Sequence, residues 1–223
     1  MTRYTYGNPD SNRVLIQMVD DHDLSVMEDE VNYIRQEVGD DFYLLALKVE
    51  DWNHDLSPWQ APAAFGNEVF GGGASETLQG VLDVIQGIEP NGMTSDRQYY
   101  MGGYSLAGLF ALWAGYQTEI FSGIAAASPS IWFPGFVDYM KSNSLHSNRV
   151  YLSLGDREER TRNQMMATVG DCIREAETII TSTGIPCVLE WNQGNHFKDP
   201  DIRTGKAFAW IMRKKIVKWG YRS

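Results

Sequence analysis

The stretch that decides the fold is "RQYYMGGYSLAGLFALWAGY", residues 97–116. Its first half, "RQYYMGGYS", is short, aromatic and bounded by small residues, which reads as a strand. Its second half sets Leu106, Leu109, Phe110 and Trp113 on one helical face. Ser105 falls at the junction. A strand that feeds directly into a helix is the repeating unit of a sheet with parallel strands.

Working outward, the same alternation recurs about six times along the chain. "RVLIQMVD" (13–20) reads as a strand, followed by "VMEDEVNYIRQEVG" (26–39), where Met27, Val31, Ile34 and Val38 keep helical spacing and Gly39 stops the helix. "FYLLALKV" (42–49) is the continuous apolar run of a strand covered on both faces. Residues 50–74 are rich in aromatics, Pro and Gly and read as one long structured loop. Within it "GGGAS" (71–75) has no Lys-Ser/Thr ending and no expected strand before it, so it leads into a helix rather than holding phosphate. That helix, 75–88, carries Leu78, Val81, Leu82, Ile85 and Ile88. "GIAAASPSIW" (123–132) is a small-residue strand running into a loop. "RVYLSLGD" (149–156) is a strand, and the long helix after it bears Met165, Val169, Cys172, Ile173, Ala176 and Ile180. "PCVLEWNQ" (186–193) is the last strand and "DIRTGKAFAWIMRKKIVKWG" (201–220) the last helix. The expectation is an α/β protein, with a mostly parallel central sheet and helices on both faces. No repeat, low-complexity tract or composition break divides residues 1–223, so a single domain is expected.

Bulk properties narrow the function. A hydrophobic share of 43% and a charged share of 22% suit a soluble globular chain, and no apolar run is long enough to span a bilayer. The N-terminal "MTRYTYGNPDSNR" lacks the apolar segment of a secretory signal. A net charge of −10 argues against nucleic acid or an anionic membrane as the main partner. The one basic run, "RKKIVK" (213–218), suits the last turn of a terminal helix. Cys172 and Cys187 form no CxxC and read as buried free thiols, consistent with a reducing cytoplasm. His22, His54, His146 and His196 show no metal spacing. Neither metal nor cofactor is expected. The expected partner is a small molecule, and a homo-oligomer stays open.

In such folds chemistry collects at the carboxyl ends of the strands. Ser105 sits at one, on a sharp strand-to-helix turn that would lift its hydroxyl above the sheet. That turn tolerates only small residues two before and two after the serine, and Gly103 and Ala107 stand there. A serine hydroxyl becomes nucleophilic when a base takes its proton. His196, in "NQGNHFKDP" between the last strand and the last helix, is the candidate base; His22 and His54 precede the serine and His146 lies in a polar stretch. The acid belongs after the penultimate strand, where "GDREE" offers Asp156, Glu158 and Glu159. An acid three residues beyond a strand-end glycine selects Glu158 first, with Asp156 second. An oxyanion hole needs backbone N–H donors. Leu106 would supply one and Asp51 or Trp52 the other. Trp52, Trp59, Phe65, Trp132 and Phe133 are candidates for pocket walls, with Trp52 and Trp132 foremost.

"GGYSLAGLFALWA", "SPSIW", "YLSLGDREE" and "GNHF" together resemble a family of esterases within the α/β-hydrolases that includes esterase D and the enterochelin-esterase-like enzymes. The likeness runs from about residue 13 to 213 and keeps the order serine, acid, histidine. It implies an α/β-hydrolase fold without a large cap, a serine carboxylesterase acting on a small soluble ester, Ser105 as nucleophile, His196 as base, and Glu158 or Asp156 as acid. The chain departs from the family in carrying Ala107 where Gly is usual. Two alternatives share these residues: an acyltransferase using the same triad, and a non-catalytic binding protein on a hydrolase fold.

Overall fold

The computed structural model describes residues 1–64, 66–89 and 96–213. The strands are β1 (Thr2–Gly7), β2 (Arg13–Val19), β3 (Tyr43–Lys48), β4 (Gln60–Ala61), β5 (Phe70–Gly71), β6 (Gln98–Tyr104), β7 (Phe121–Ala127), β8 (Val150–Gly155) and β9 (Cys187–Asn192). The helices are α1 (Asp21–Val38), α2 (Trp52–Asp55), α3 (Ala74–Ile88), α4 (Ser105–Gln117), α5 (Phe136–Ser142), α6 (Val169–Ser182) and α7 (Pro200–Met212). A central sheet of seven strands runs β1-β3-β2-β6-β7-β8-β9, with every neighbouring pair parallel except β1 with β3.

The sheet separates two apolar layers by the alternation of its side chains. Val14, Ile16, Met18, Leu45, Leu47 and Met101 point one way and pack with residues of α3, α4, α5 and α6. Leu15, Val19, Leu44, Ala46, Tyr100 and Tyr151 point the other way, against Met27, Val31 and Ile34 of α1 and Ala207, Phe208 and Ile211 of α7. Helices on both faces of a mostly parallel sheet make this an α/β fold, as expected.

Several boundaries differ from the sequence expectation. Strand β1 was not expected, because "TRYTYG" is exposed along nearly its whole length and carries no buried period. It is a strand because its backbone pairs with β3 in antiparallel register, Thr5 opposite Leu45. Helix α5 was also missed. Its two buried residues, Phe136 and Met140, span one turn, too little for a periodic signal. Residues 50–74 are more ordered than a loop, holding α2 and the antiparallel pair β4–β5. The two-residue β5 therefore runs into the glycines, ending on Gly71, and Gly73 leads into α3. Helix α6 begins at Val169, leaving Met165 before a short 3-10 turn. Helix α1 begins earlier than expected, at Asp21, because Asp20 accepts from the Asp23 N–H at 2.8 Å and Asp23 returns the bond to the Asp20 N–H.

Cys172 and Cys187 are free but only half-buried, and burial pushes the Cys187 thiol up to about 12. Among the described residues no helix is long and apolar enough to cross a membrane. Phe65 and residues 214–220 of the expected terminal helix, with most of "RKKIVK", lie outside the described residues.

Candidate active site

Strand β6 ends at Tyr104 and α4 begins at Ser105, with no intervening loop. The turn forces Ser105 to φ +56°, a left-handed conformation that costs a non-glycine residue about 1–2 kcal/mol. Its small neighbours are a packing requirement. A Cβ added at Gly103 would lie 2.7 Å from the Ala107 Cβ and 2.8 Å from the Ala107 carbonyl carbon. The turn therefore has room for one methyl group, and Ala107 occupies it. Gly103→Ala is expected to lower stability by about 1–3 kcal/mol. Adding Ala107→Gly should recover part of that loss and leave the backbone contact unrelieved. Thermal melts of the two single variants and the double variant check this, and strictly additive effects would contradict it.

Ser105, His196 and Glu158, 91 and 38 residues apart in sequence, meet in one hydrogen-bonded chain. The Ser105 Oγ lies 3.0 Å from His196 Nε2, and His196 Nδ1 lies 2.7 Å from Glu158 Oε2. The other carboxylate oxygen, Oε1, accepts from the Gly155 N–H at 2.6 Å, the Ser128 hydroxyl at 2.8 Å and Arg203 Nη1 at 2.9 Å. Burial pushes the Glu158 carboxyl up. The bond and charge of His196, with the Gly155 and Ser128 donors, outweigh burial and hold it below the ordinary glutamate value.

The glycine three residues before Glu158 has a physical reason. A Cβ at Gly155 would collide with the Gly194 carbonyl oxygen and sit 2.9 Å from Glu158 Oε1. The strand end must therefore be bare for the carboxylate to fold back onto its N–H. Asp156, the second candidate acid, is placed elsewhere. Its side chain is about half exposed, and its Oδ1 accepts from the Gly194 N–H at 2.8 Å. Asp156 thus pins the histidine loop, and the carboxylate on the imidazole is that of Glu158. Glu159 lies at the surface beside Arg174, 3.5 Å away.

Ser105 and His196 open onto a cavity of about 210 Å³ lined by Trp52, Phe70, Leu106, Ser130, Trp132 and Met166, with Asn53 and Phe197 completing its rim, while Glu158 lies buried behind the histidine. Trp52 and Trp132 are therefore wall residues. Trp59 and Phe133 instead pack into an aromatic cluster, their ring centroids 5.5 Å apart, with the Trp59 indole donating to the Pro134 carbonyl. Leu106 follows the serine in α4, as an oxyanion donor would. Asp51 does not fit that role. Its N–H donates to the Asp55 carboxylate at 3.1 Å, and its own side chain caps α2 by accepting from the His54 N–H. Trp52, the first residue of α2, is the remaining candidate.

Sequence reasoning missed Ser130, Ser128, Tyr104 and Arg203. The Ser130 hydroxyl lies 3.3 Å from the Ser105 Oγ, and the Ser130 N–H donates to the Ser105 carbonyl at 3.0 Å. The Tyr104 hydroxyl donates to the His196 carbonyl at 2.7 Å. Burial, followed by the Glu158 charge, pushes that hydroxyl up to about 12, so it keeps its proton. Arg203 carried a readable signal: it lies four residues before Ala207 and eight before Ile211, a charge on the buried stripe of α7.

No protein-family model and no curated protein sequence matches the chain. Solved structures do. The siderophore hydrolase EstA from Aspergillus nidulans superposes with a TM-score of 0.68 at 19% identity, over 90% of this chain and 82% of that one. An IroE-like serine hydrolase from Shewanella oneidensis gives 0.71 at 12% identity, over 93% and 74%. The enterobactin esterase FES from Shigella flexneri gives 0.64 at 16% identity, over 94% of this chain and 54% of that longer one. The chain thus shares the α/β-hydrolase fold of these hydrolases and esterases.

Proposed function

We propose that the chain is a serine carboxylic-ester hydrolase that works through an acyl-enzyme on a small soluble ester. The observation that carries this reading is the Ser105–His196–Glu158 chain, at 3.0 and 2.7 Å, with its Ser105 and His196 end on the aromatic cavity. Its fold-sharing neighbours, named as esterases and serine hydrolases, support the same reaction class. Their substrates do not carry over at such low identity.

In this reading Ser105 Oγ attacks the ester carbonyl while His196 Nε2 takes its proton. Glu158 holds the Nδ1–H tautomer and stabilises the imidazolium. The N–H groups of Leu106 and Trp52 receive the developing oxyanion. The carbon–oxygen bond to the alcohol breaks, His196 returns the proton to the leaving alkoxide, and Ser105 keeps the acyl group. Water then attacks with His196 again as base, and the acid leaves. Trp52, Phe70 and Trp132 wall a space suited to a short or single-ring acyl group. The free thiols fit work in a reducing cytoplasm.

The direct test is labelling with a fluorophosphonate probe. The wild-type chain should be labelled, and folded Ser105→Ala and His196→Ala chains should not. Labelling that survives Ser105→Ala would place the reactive group elsewhere and end the proposal.

A further inference from the structure

Arg203 is among the largest fully buried side chains of the protein, with 2% of its surface exposed. Burying a guanidinium is costly unless every donor is satisfied, so its partners define its purpose. Nη1 donates to Glu158 Oε1 at 2.9 Å, the Tyr104 hydroxyl at 3.0 Å and the Ser128 hydroxyl at 3.2 Å. Nη2 donates to the carbonyls of Asn195 at 3.1 Å and Gln193 at 3.4 Å. Glu158 is the acid of the proposed triad, Tyr104 precedes the nucleophile, and Asn195 precedes the base. One planar fork therefore reaches the segments that carry all three reacting side chains.

Resting on the esterase reading above, we propose that Arg203 is a positioning residue that locks the acid and the histidine loop onto the nucleophile turn and moderates the carboxylate's pull on His196. The geometry separates this from a bare salt bridge. A lone ion pair would need Oε1 only, whereas here the guanidinium also accounts for two carbonyls of the 193–195 turn. The Tyr104 hydroxyl, which accepts from Arg203, itself donates to the His196 carbonyl and ties the base to β6. Because the fork is rigid and its five donors are fixed in a plane, it transmits position as well as charge.

The electrostatic consequence has a definite sign. Glu158 shares one carboxylate between Arg203 on Oε1 and His196 on Oε2. Removing the cation leaves that carboxylate less compensated and removes a positive charge near the ring. Both changes favour imidazolium, so His196 holds its proton to higher pH. The substitution leaves the other charged and titratable groups of the neighbouring segments unchanged: Tyr104, whose ring centroid lies 5.1 Å from that of the imidazole, Lys198 and Asp199 on the histidine's own loop, and Asp156 and Arg157, which bond to Gly194 of that loop.

The test compares wild type, Arg203→Gln and Arg203→Lys by two readouts: hydrolysis of p-nitrophenyl acetate across pH, and direct NMR titration of the His196 ring. Arg203→Gln should lower kcat by about 10–100-fold with KM changed less than about threefold. Its His196 titration and the acid limb of kcat/KM should both move to higher pH. Arg203→Lys keeps the charge but not the fork, so the titration should return toward wild type while kcat stays reduced. An unmoved His196 titration in folded Arg203→Gln overturns the proposal, as does a wild-type rate in either variant. Should Arg203→Gln fail to fold, Arg203→Lys decides alone, and full wild-type kcat there overturns the positioning role. Absence of ester turnover in wild type would defeat the esterase reading instead, and the ring titration would still judge Arg203.

Discussion

Replacing Ser105 by alanine is expected to lower ester turnover by roughly 10⁴–10⁶-fold while leaving the fold intact. The size follows from the chemistry, since without the hydroxyl no acyl-enzyme forms and only direct attack by water in the same cavity remains. The preserved fold follows from the backbone. Serine at φ +56° already bears the penalty of a Cβ in left-handed space, and alanine bears the same one. The variant loses only the contacts to His196 and Ser130, at 3.0 and 3.3 Å. Ser105→Gly goes further, because glycine occupies that conformation freely. It should be equally inactive, yet unfold at or above the wild-type temperature. Steady-state turnover on a short acyl ester, paired with thermal melts, checks both halves. A Ser105→Ala chain that kept turnover within tenfold of wild type would rule out the mechanism.

The second large effect concerns the acid, where two substitutions separate catalysis from stability. Glu158→Ala should cost about 3–5 kcal/mol of stability, because it strands a guanidinium whose side chain is 2% exposed beside a site 4% exposed. For a chain of this length that lowers the melting temperature on the order of 10 °C. Glu158→Gln is nearly isosteric, and its amide oxygen still accepts from Gly155, Ser128 and Arg203. Its amide N–H groups, however, would face His196 Nδ1 and force the ring proton onto Nε2, the atom that must accept from Ser105. Turnover should fall about 10⁴-fold with a much smaller loss of stability. The pH dependence follows from the same residue. The Glu158 carboxyl is held below its ordinary 4.5, so its ionised form favours the folded state above that value. This contribution is lost as pH falls through the lowered folded value. Acid denaturation curves of wild type and Glu158→Gln should therefore converge at low pH and separate toward neutrality.

Much of this was readable from the chain because the decisive features are local. The strand-to-helix stretch at 97–116 announced the turn, and the order of serine, acid and histidine followed from which strand each segment ends. Glu158 ranked ahead of Asp156 only by counting from Gly155, and it is Glu158, folded back onto the Gly155 N–H, that meets His196. What stayed hidden depends on contacts between distant segments. Strand β1 exists through its partner, and Asp51 was spent on a helix cap that a four-residue helix does not advertise. Ser130 and Tyr104 look like ordinary turn and strand residues until the sheet brings them within reach of residues 105 and 196. Arg203 was visible only as an anomaly, a charge where the helix pattern asks for an apolar side chain.

The order of strands in the sheet has a further consequence for how the molecule fails. Ser105 follows β6, a strand with neighbours on both sides, whereas His196 follows β9, one of the two edge strands, paired on one flank alone among the described residues. Edge strands open at lower free energy than interior ones. Fraying at that border would carry His196 away while Ser105 stayed in register, so on the proposed mechanism mild stress would disarm the protein before it unravels. The bonds from Asp156 to Gly194, from Tyr104 to the His196 carbonyl and from Arg203 to the same turn act as moorings at an edge where the sheet itself offers none.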